Sequence, residues 1–256
     1  MCRILLVRSK TPFAIADELR PFASIAQHSR EYQGHGWGCS WLTESSGNSV
    51  SGAPGSQTPR SQTPGAQALG ADSSVSDAIA SNDSGVGWQH YHNIQPVWQD
   101  DLTQFATTTT LLVHARSAFR DEGIAVENNM PFTDGESVFI FNGELRGVKI
   151  KSEGRIGAEK IFNYIRRMDK GDKLQALDKA VTIINRRTQY VRAMNILMSD
   201  GKQCLVSSTY NEDPDYFQMH RSVHAGVVRV CSEPFTLNGD VNPDWEPVVN
   251  LTTALV

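Results

Sequence analysis

A low-complexity stretch from Glu44 to Gly87 interrupts this 256-residue chain. The stretch is mostly Ser, Gly, Ala, Pro, Gln and Asp, has no aromatic residue, and repeats Ser-Gln-Thr-Pro at 56–59 and 61–64. A segment of this composition cannot bury enough apolar surface to offset the entropy of ordering it. We therefore expect a disordered insertion at about 44–87 in a single domain spanning residues 2–256, and favour an inert insertion over a phosphorylated regulatory loop.

The remaining sequence alternates between strand-like and helical patterns. Strands are predicted at 3–7, 109–114, 137–141, 190–198, 203–209 and 227–231, an edge strand or extended segment at 91–98, and a glycine turn leading into a strand at 34–42. Helices are predicted at 12–22, 157–168 and 174–187, with a short one around 100–105. Two central helices among mainly antiparallel strands indicate a layered α+β domain.

Composition excludes several classes of function. The net charge of −4 argues against a nucleic-acid partner, which needs a basic face. Apolar runs such as Ile4–Val7 are far too short to span a bilayer, so no membrane association is expected. No signal peptide and no nucleotide-binding fingerprint is visible. His90 and His92 lack a third ligand nearby, so neither a metal nor another cofactor is expected.

Cysteine usage predicts the compartment. The chain has four cysteines, at Cys2, Cys39, Cys204 and Cys231. They are widely spaced and form no Cys-x-x-Cys pair. Free thiols in a reducing cytoplasm are therefore predicted.

Cys2 is the residue with the clearest chemical potential, because it directly follows Met1. A small residue at position 2 normally permits removal of Met1, which would leave Cys2 with a thiol and a free α-amine. The thiol is a nucleophile once deprotonated, and an α-amine titrates near pH 7.7–8.0, so a neutral fraction can accept the proton. A Cys that merely opens a buried strand is the alternative when this residue is taken alone.

Further motifs follow Cys2 in a fixed order. They are Gly36-Trp37-Gly38, His114-Ala115-Arg116-Ser117-Ala118, Asn129-Met130-Pro131-Phe132, Phe139 to Leu145 with a central Asn142-Gly143, and Cys231-Ser232-Glu233-Pro234 with Trp245. In this order they resemble the class II glutamine amidotransferases of stand-alone type, the cysteine branch of the N-terminal-nucleophile hydrolases. The resemblance implies a four-layer αββα sandwich and covers nearly the whole chain outside the insertion.

The resemblance also implies roles for five residues. Cys2 matches the nucleophile, with its own α-amine as base, and attacks a side-chain amide to form a thioester. Asn142 and Gly143 match the oxyanion-hole pair, and we expect them in an Asn-Gly turn in which Gly143 takes a positive φ. Arg116 matches the arginine that binds the α-carboxylate of the substrate, and Ser117 is a pocket hydroxyl. His114 is expected to be a hydrogen-bonded core histidine without catalytic function.

The sequence departs from the family at its recognition end. Gly157 stands where relatives carry the Asp that binds the glutamine α-ammonium, Met130 replaces a His, and His35 replaces an Asp. We therefore expect altered recognition, with an amide lacking a free α-ammonium as substrate and Arg155 as a second anion-binding group. Candidates to replace the missing carboxylate are Asp121, Glu122 and Asp134.

Two functional classes remain open at this stage. The first is a cytoplasmic amidohydrolase whose partner is a small-molecule amide. The second is a catalytically inactive subunit that keeps the fold and binds a partner enzyme. The sequence leaves open a separate synthase that accepts the ammonia, and a homodimer.

Overall fold

The computed structural model of the protein describes residues 1–43, 87–237 and 241–256. The predicted insertion at 44–87 lies outside the described residues except for Gly87. The helices are α1 (Ile15–Gln27), α2 (Gly157–Met168), α3 (Lys173–Arg186) and the single turn α4 (Pro214–Phe217). The strands are β1 (Arg3–Ala14), β2 (Trp37–Thr43), β3 (Gly87–Asn93), β4 (Thr107–Ala115), β5 (Phe132–Thr133), β6 (Val138–Val148), β7 (Thr188–Ser199), β8 (Cys204–Ser208), β9 (His220–His224), β10 (Val227–Cys231), β11 (Trp245–Pro247) and β12 (Thr252–Leu255).

The strands form two antiparallel sheets. The seven-stranded sheet has the order β11-β9-β10-β1-β4-β2-β3, and the five-stranded sheet has the order β12-β8-β7-β6-β5. β1, which begins next to Cys2, is central and pairs with β10 on one side and β4 on the other. The residue that we predict to be the nucleophile is therefore attached to an interior strand with partners on both sides.

The two sheets pack face to face, and helices cover their outer faces. Along β1 the side chains alternate: Ile4 and Leu6 pack in the core that includes the second sheet, whereas Leu5 and Val7 pack in the core beneath α1. α1 contacts β1 and β4, and α2 and α3 contact strands of the five-stranded sheet. The predicted αββα sandwich of the α+β class is confirmed.

A buried ion pair joins α1 to the sheet that it covers. Glu18 of α1 accepts two hydrogen bonds from the guanidinium of Arg229 in β10, at 2.6 and 2.8 Å. Both side chains are buried. Since residues 18 and 229 lie near opposite ends of the sequence, this pair ties the first helix to a late strand.

Element bounds differ from prediction mainly near the N-terminus. The predicted helix at 12–22 begins later because β1 continues to Ala14, resuming its pairing with β4 at Phe13 after a register shift. The predicted helix at 100–105 is instead a short 3-10 turn at 102–104, and the segment predicted as an edge strand at 91–98 is a strand only to Asn93, with a second 3-10 turn at 97–99. The turn at 102–104 is capped by Asp101, whose carboxylate accepts a hydrogen bond from the Thr103 backbone N–H at 2.9 Å.

The predicted helix at 157–168 matches α2, and α3 lies within one residue of prediction. The short strands β5, β9, β11 and β12 were not predicted. β9 reads His-Arg-Ser-Val-His, which has little strand character by itself and is held by pairing with β10. Among the described residues, no helix is long and apolar enough to cross a membrane.

Candidate active site

A cavity of about 860 Å³ lies at the end of the sandwich where β1 begins and β4 ends. Four of the five predicted site residues line it, namely Cys2, Arg116, Ser117 and Gly143. The fifth, Asn142, is the fully buried neighbour of Gly143 in β6. Arg116 and Ser117 follow Cys2 by 114 and 115 positions in the sequence, and they reach the same cavity because β4 pairs with β1.

The pairing of β1 with β4 brings Cys2 beside Arg116. Arg3 is opposite Ala115 in the register, so the residue before Arg3 and the residue after Ala115 lie at the same end of the ladder. The Sγ atom of Cys2 lies 3.8 Å from the carbonyl oxygen of Ser117. The backbone of Arg116 is held in turn by its N–H, which donates to the carbonyl of Gly36 at 2.9 Å.

The environment of the Cys2 thiol contains opposing influences. Burial raises the pKa of the thiol above its ordinary value, while the N-terminal ammonium and the Arg116 guanidinium act to lower it. A nearby positive charge favours the thiolate form. The site thus combines a half-buried thiol with two cations that would stabilise its deprotonated state.

Met1 remains attached to Cys2 in this structure and lines the cavity. Its ammonium forms an ion pair with Glu31. Its carbonyl oxygen accepts hydrogen bonds from Nε2 of Gln33 at 2.5 Å and from the hydroxyl of Tyr216 at 2.7 Å. The bond that joins Met1 to Cys2 is therefore surrounded by specific polar contacts.

Arg116 presents a buried cation to the cavity. Only 6% of the residue is exposed, and its Nη1 atom has no hydrogen-bond partner among the described residues. Burial lowers the pKa of its guanidinium, although an arginine stays charged at neutral pH. A buried cation of this kind is suited to a carboxylate arriving with a substrate.

His114 is buried but not hydrogen-bonded, so the prediction of a hydrogen-bonded core histidine is wrong. Neither ring nitrogen has a partner within the described part of the chain. Burial, together with the charge of Arg116, lowers the pKa of His114 to about 3. Because Leu112 packs in the core that includes the second sheet, alternation along β4 points His114 the same way, as a neutral ring in the cavity wall.

The prediction of a turn at Asn142-Gly143 is also wrong. Both residues lie inside β6, where Asn142 pairs with Asn195 and Gly143 with Met194, and the strand continues to Val148. Gly143 does not have a positive φ. Glycine is needed at position 143 for a different reason, because a β-carbon there would lie 2.1 Å from the carbonyl oxygen of Ala193.

The side chain of Asn142 faces the first sheet. Phe139 stacks on Phe162 of α2, so alternation along β6 turns residue 142 to the opposite side. Neither Nδ2 nor Oδ1 of Asn142 has a partner among residues that the structure describes. Cys2, two residues before the inward-facing Ile4, lies on the facing side of β1. The unpaired amide of Asn142 and the thiol of Cys2 therefore face the space between the two sheets from opposite sides.

Gly36 and Gly38 support this wall by permitting close approach of other backbone segments. Gly36 has a φ of +104°, and a β-carbon at Gly38 would lie 2.6 Å from the carbonyl oxygen of Met130. The hydrogen bond from the Ala118 N–H to Nδ1 of His35, at 2.9 Å, holds the loop that follows Arg116. This contact gives His35 a structural role, whereas Met130 lines the cavity.

The opening of α2 leaves space in the cavity. A β-carbon added at Gly157 would meet nothing within 4 Å. The cavity lining also includes the apolar residues Leu145, Val148, Ile150 and Ile156, together with Ser152 and Lys160. This part of the cavity offers room and apolar surface where the resemblance implied a carboxylate.

The predicted second anion-binding group is not in the cavity. Arg155 is exposed, and its guanidinium binds the carboxylate of Glu159 at 2.7 to 3.1 Å. Its charge is therefore already compensated. The prediction for Arg155 is wrong, because the (i, i+4) spacing favours a local ion pair over the pocket.

Of the carboxylates proposed to replace the missing Asp, Glu122 lines the cavity. Asp134 instead forms an ion pair with Arg166 at 2.7 Å, away from this site, and the side chain of Asp121 lies outside the described part. Sequence reasoning missed Glu31 and Glu144, which also line the cavity and both approach Arg192, at 3.7 and 3.6 Å. Glu31 belongs to no motif, and Glu144 follows Asn142-Gly143 in the motif Phe139 to Leu145 without a role that the sequence indicated.

Metal binding has no support in the described ranges, where no three His, Cys, Asp or Glu side chains are grouped so that they could hold an ion. All four cysteines are free thiols. The chemistry available at the cavity therefore includes a thiol, an amino terminus, a buried guanidinium and an unpaired imidazole, beside several carboxylates and a hydroxyl.

Comparison with known proteins gives structural relatives only. No protein-family profile and no curated protein matches the sequence. A solved structure described as a glutamine aminotransferase class-II domain protein from Silicibacter pomeroyi is similar with a TM-score of 0.56 and 13% identity, covering 99% of this chain and 94% of the other.

Two larger enzymes share the fold over part of their length. Glutamine phosphoribosylpyrophosphate amidotransferase from B. subtilis has a TM-score of 0.55 at 10% identity, with 98% of this chain covered and 50% of the other. A structure described as the allosteric regulatory enzyme of purine biosynthesis has a TM-score of 0.55 at 12% identity, with 91% and 42% covered. This chain thus spans about half the length of these two enzymes.

These similarities define the class of fold. The chain has the N-terminal-nucleophile hydrolase fold of class II glutamine amidotransferase domains. The resemblance that the motifs indicated is confirmed at this level.

Proposed function

We propose that this protein is an N-terminal cysteine amidohydrolase, similar to glutamine amidotransferases, that hydrolyses a side-chain amide of glutamine or γ-glutamyl type. The observation that carries the proposal is the set of unpaired polar atoms at this site: those of His114 and Arg116, which line the cavity with Cys2, and those of Asn142, the neighbour of the lining residue Gly143. Buried polar groups are hydrogen-bonded in the great majority of cases. Such a set of unpaired atoms supports a site that completes its hydrogen bonds with a polar substrate.

The chemistry begins after Met1 is removed. The neutral α-amine of Cys2 takes the thiol proton, and the thiolate attacks the amide carbon to give a tetrahedral oxyanion. Nδ2 of Asn142 and the backbone N–H of Gly143 donate to that oxyanion. The departing ammonia or amine takes the proton from the α-ammonium, which leaves a thioester on Sγ. Water then hydrolyses the thioester, with the α-amine again accepting a proton.

Arg116 supplies substrate orientation in this proposal. Its buried guanidinium binds the carboxylate of the substrate, which restores a partner to Nη1. A charge-assisted hydrogen bond of this kind contributes about 1.5–3 kcal/mol. Ser117, which lines the cavity next to it, adds a hydroxyl to the same wall.

The preferred substrate lacks a free α-ammonium. The space at Gly157 and the apolar residues around it favour an amide whose α-nitrogen carries an acyl group. Glu144 is already in an ion pair with Arg146, and both Glu144 and Glu31, which loses its Met1 partner when Met1 is removed, lie near Arg192. The α-ammonium of a substrate would have to compete with these cations for the carboxylate of Glu31 or Glu144.

Ammonia release from a panel of amides tests the proposal. The panel contains glutamine, asparagine, γ-glutamyl amides and N-acylglutamines, and the protein is first shown by intact mass to have lost Met1. Wild type is compared with Cys2→Ala, and Cys2→Ser is the matched variant that keeps a small residue and the α-amine. We expect activity in wild type, with N-acylglutamines preferred, and its loss in Cys2→Ala.

Two outcomes would count against the proposal. Equal activity of wild type and Cys2→Ala would remove Cys2 from the reaction. No activity on any amide by protein that begins at Cys2 would favour the inactive subunit that binds a partner enzyme.

A further inference from the structure

Gln33 and Tyr216 enclose the peptide bond between Met1 and Cys2. Gln33 is 0% exposed and Tyr216 is 3% exposed. Both donate to the Met1 carbonyl oxygen, and Nε2 of Gln33 also lies 3.2 Å from the Tyr216 hydroxyl. Neither residue belongs to a sequence motif that indicated function. The contacts of the two side chains indicate their role.

The other end of the Gln33 amide has no partner. Its Oε1 atom is buried and accepts no hydrogen bond from any residue that the structure describes. An unsatisfied buried acceptor is costly, so a donor is expected to reach it in the working protein. Removal of Met1 creates such a donor, since it converts the nitrogen of residue 2 from a peptide N–H into an amine with additional N–H groups.

We propose that Gln33 and Tyr216 are positioning residues for the α-amine of Cys2 once Met1 is gone, with Oε1 of Gln33 accepting one amine N–H. This inference rests on the proposed function, in which that amine is the base. Held in this way, the amine directs its lone pair at the thiol. Tyr216 fixes the Gln33 amide through the contact at 3.2 Å, so that Oε1 rather than Nε2 is left for the amine.

The surroundings of Tyr216 keep its hydroxyl protonated, which is the form that donates a hydrogen bond. Its ring lies beneath the guanidinium groups of Arg3 and Arg30, at 4.3 and 4.8 Å from the ring centre. Burial raises the pKa of its hydroxyl to about 12, so the group remains protonated at neutral pH. The other charged or titratable groups near this N-terminus are Glu31, Arg116 and His114.

The first test measures the amine directly and needs no substrate. Proteins are expressed as ubiquitin fusions that are cleaved during synthesis, so that every variant begins at residue 2. In a Cys2→Ala background, the pKa of the residue-2 amine is measured by competitive labelling and mass spectrometry, with and without Gln33→Glu. We expect Gln33→Glu to raise this pKa by roughly one unit or more, because a carboxylate beside an amine favours the ammonium.

Gln27→Glu, an exposed substitution in α1, is the matched control and should leave the amine pKa unchanged. If Gln33→Glu also leaves that pKa at the parent value, the amine is not beside Gln33 and the inference is overturned.

The second test is kinetic, in protein that retains Cys2. Gln33→Leu and Tyr216→Phe should each lower kcat roughly 10- to 100-fold with KM unchanged, as expected when a base loses its orientation. Unchanged kcat in both variants would also overturn the inference. If wild type turns over no amide at all, the proposed function fails, while the amine titration still decides the placement of Gln33.

Discussion

Gly143 and Ala193 approach each other so closely that a β-carbon on residue 143 would lie 2.1 Å from the Ala193 carbonyl oxygen. The approach occurs where β6 pairs with β7, next to a register shift between Glu144 and Leu145. The irregularity thus sits at the cavity wall, beside the residue proposed to bind the oxyanion.

Gly143→Ala is therefore expected to destabilise the fold as well as the site. A methyl group forced against backbone costs typically about 1–3 kcal/mol. Urea unfolding measures this loss, and ammonia release measures the accompanying loss of activity. Gly157→Ala is the matched control, since a β-carbon there meets nothing within 4 Å, and it should stabilise the helix by roughly 0.5–1 kcal/mol. A Gly143→Ala protein as stable as wild type would refute the close approach.

Gly157→Asp is expected to shift substrate preference toward free glutamine. The new carboxylate would occupy open space at the first residue of α2 and could pair with an α-ammonium in the cavity. A charge-assisted contact of about 1.5–3 kcal/mol corresponds to roughly a 10- to 150-fold change in relative kcat/KM. The measurement is kcat/KM for glutamine divided by that for N-acetylglutamine. Gly157→Asn separates charge from size, and an equal ratio in the two variants would contradict the prediction.

Glu18→Gln is expected to be strongly destabilising, because it leaves the charge of Arg229 buried without its counter-ion. Breaking a buried pair in this way typically costs about 3–5 kcal/mol. The double change Glu18→Leu with Arg229→Met should cost much less, since it removes both charges. Asp17→Asn, an exposed change on the same helical turn, is the control. Urea unfolding of the four proteins gives the comparison, and equal losses in the single and double variants would exclude a buried, coupled pair.

Because His114 is buried as a neutral ring, the folded protein is expected to lose stability in mild acid. Its pKa is about 3 in the folded chain and near 6.5 when unperturbed, so between these values the unfolded chain binds a proton that the folded chain does not. The free energy of unfolding therefore falls as pH decreases through this window, by up to about 1.4 kcal/mol per pH unit for this group.

Denaturant unfolding between pH 7 and pH 5 measures this dependence. His114→Leu should flatten the slope, with the exposed His224→Asn as the control for removing a histidine. An identical slope in wild type and His114→Leu would show that His114 is not kept neutral by the fold.

The sequence was informative where one local pattern determines structure. The apolar spacing of residues 157–168 predicted α2 with its bounds, and Cys2 and Arg116 do reach the same cavity. It was misleading at Asn142-Gly143, because that dipeptide favours a hairpin turn by itself. The outcome depends on β7, which offers pairing partners as far as Val148.

Other features of the site could not have been predicted because they depend on distant contacts. Gln33 and Tyr216 meet at the Met1 carbonyl although 183 positions separate them. His114 looks like any strand residue in the sequence, and only the packing of two sheets leaves its ring without a partner. Arg155 was assigned to the pocket because its neighbour Gly157 is there, whereas its own side chain turns back to Glu159.

The order of the strands along the chain also separates the synthesis of β1 from the completion of its pairing. β1 is completed by pairing with β10, which begins at Val227. At about 5–20 residues per second, a ribosome needs on the order of ten seconds or more to reach that point after releasing β1. Throughout that interval β1 lacks this partner strand, whereas in the finished sheet Gln33 and Tyr216 donate hydrogen bonds to the Met1 carbonyl. On the proposal that Met1 is removed, the nascent chain presents this terminus before the pairing of β1 with β10 is complete.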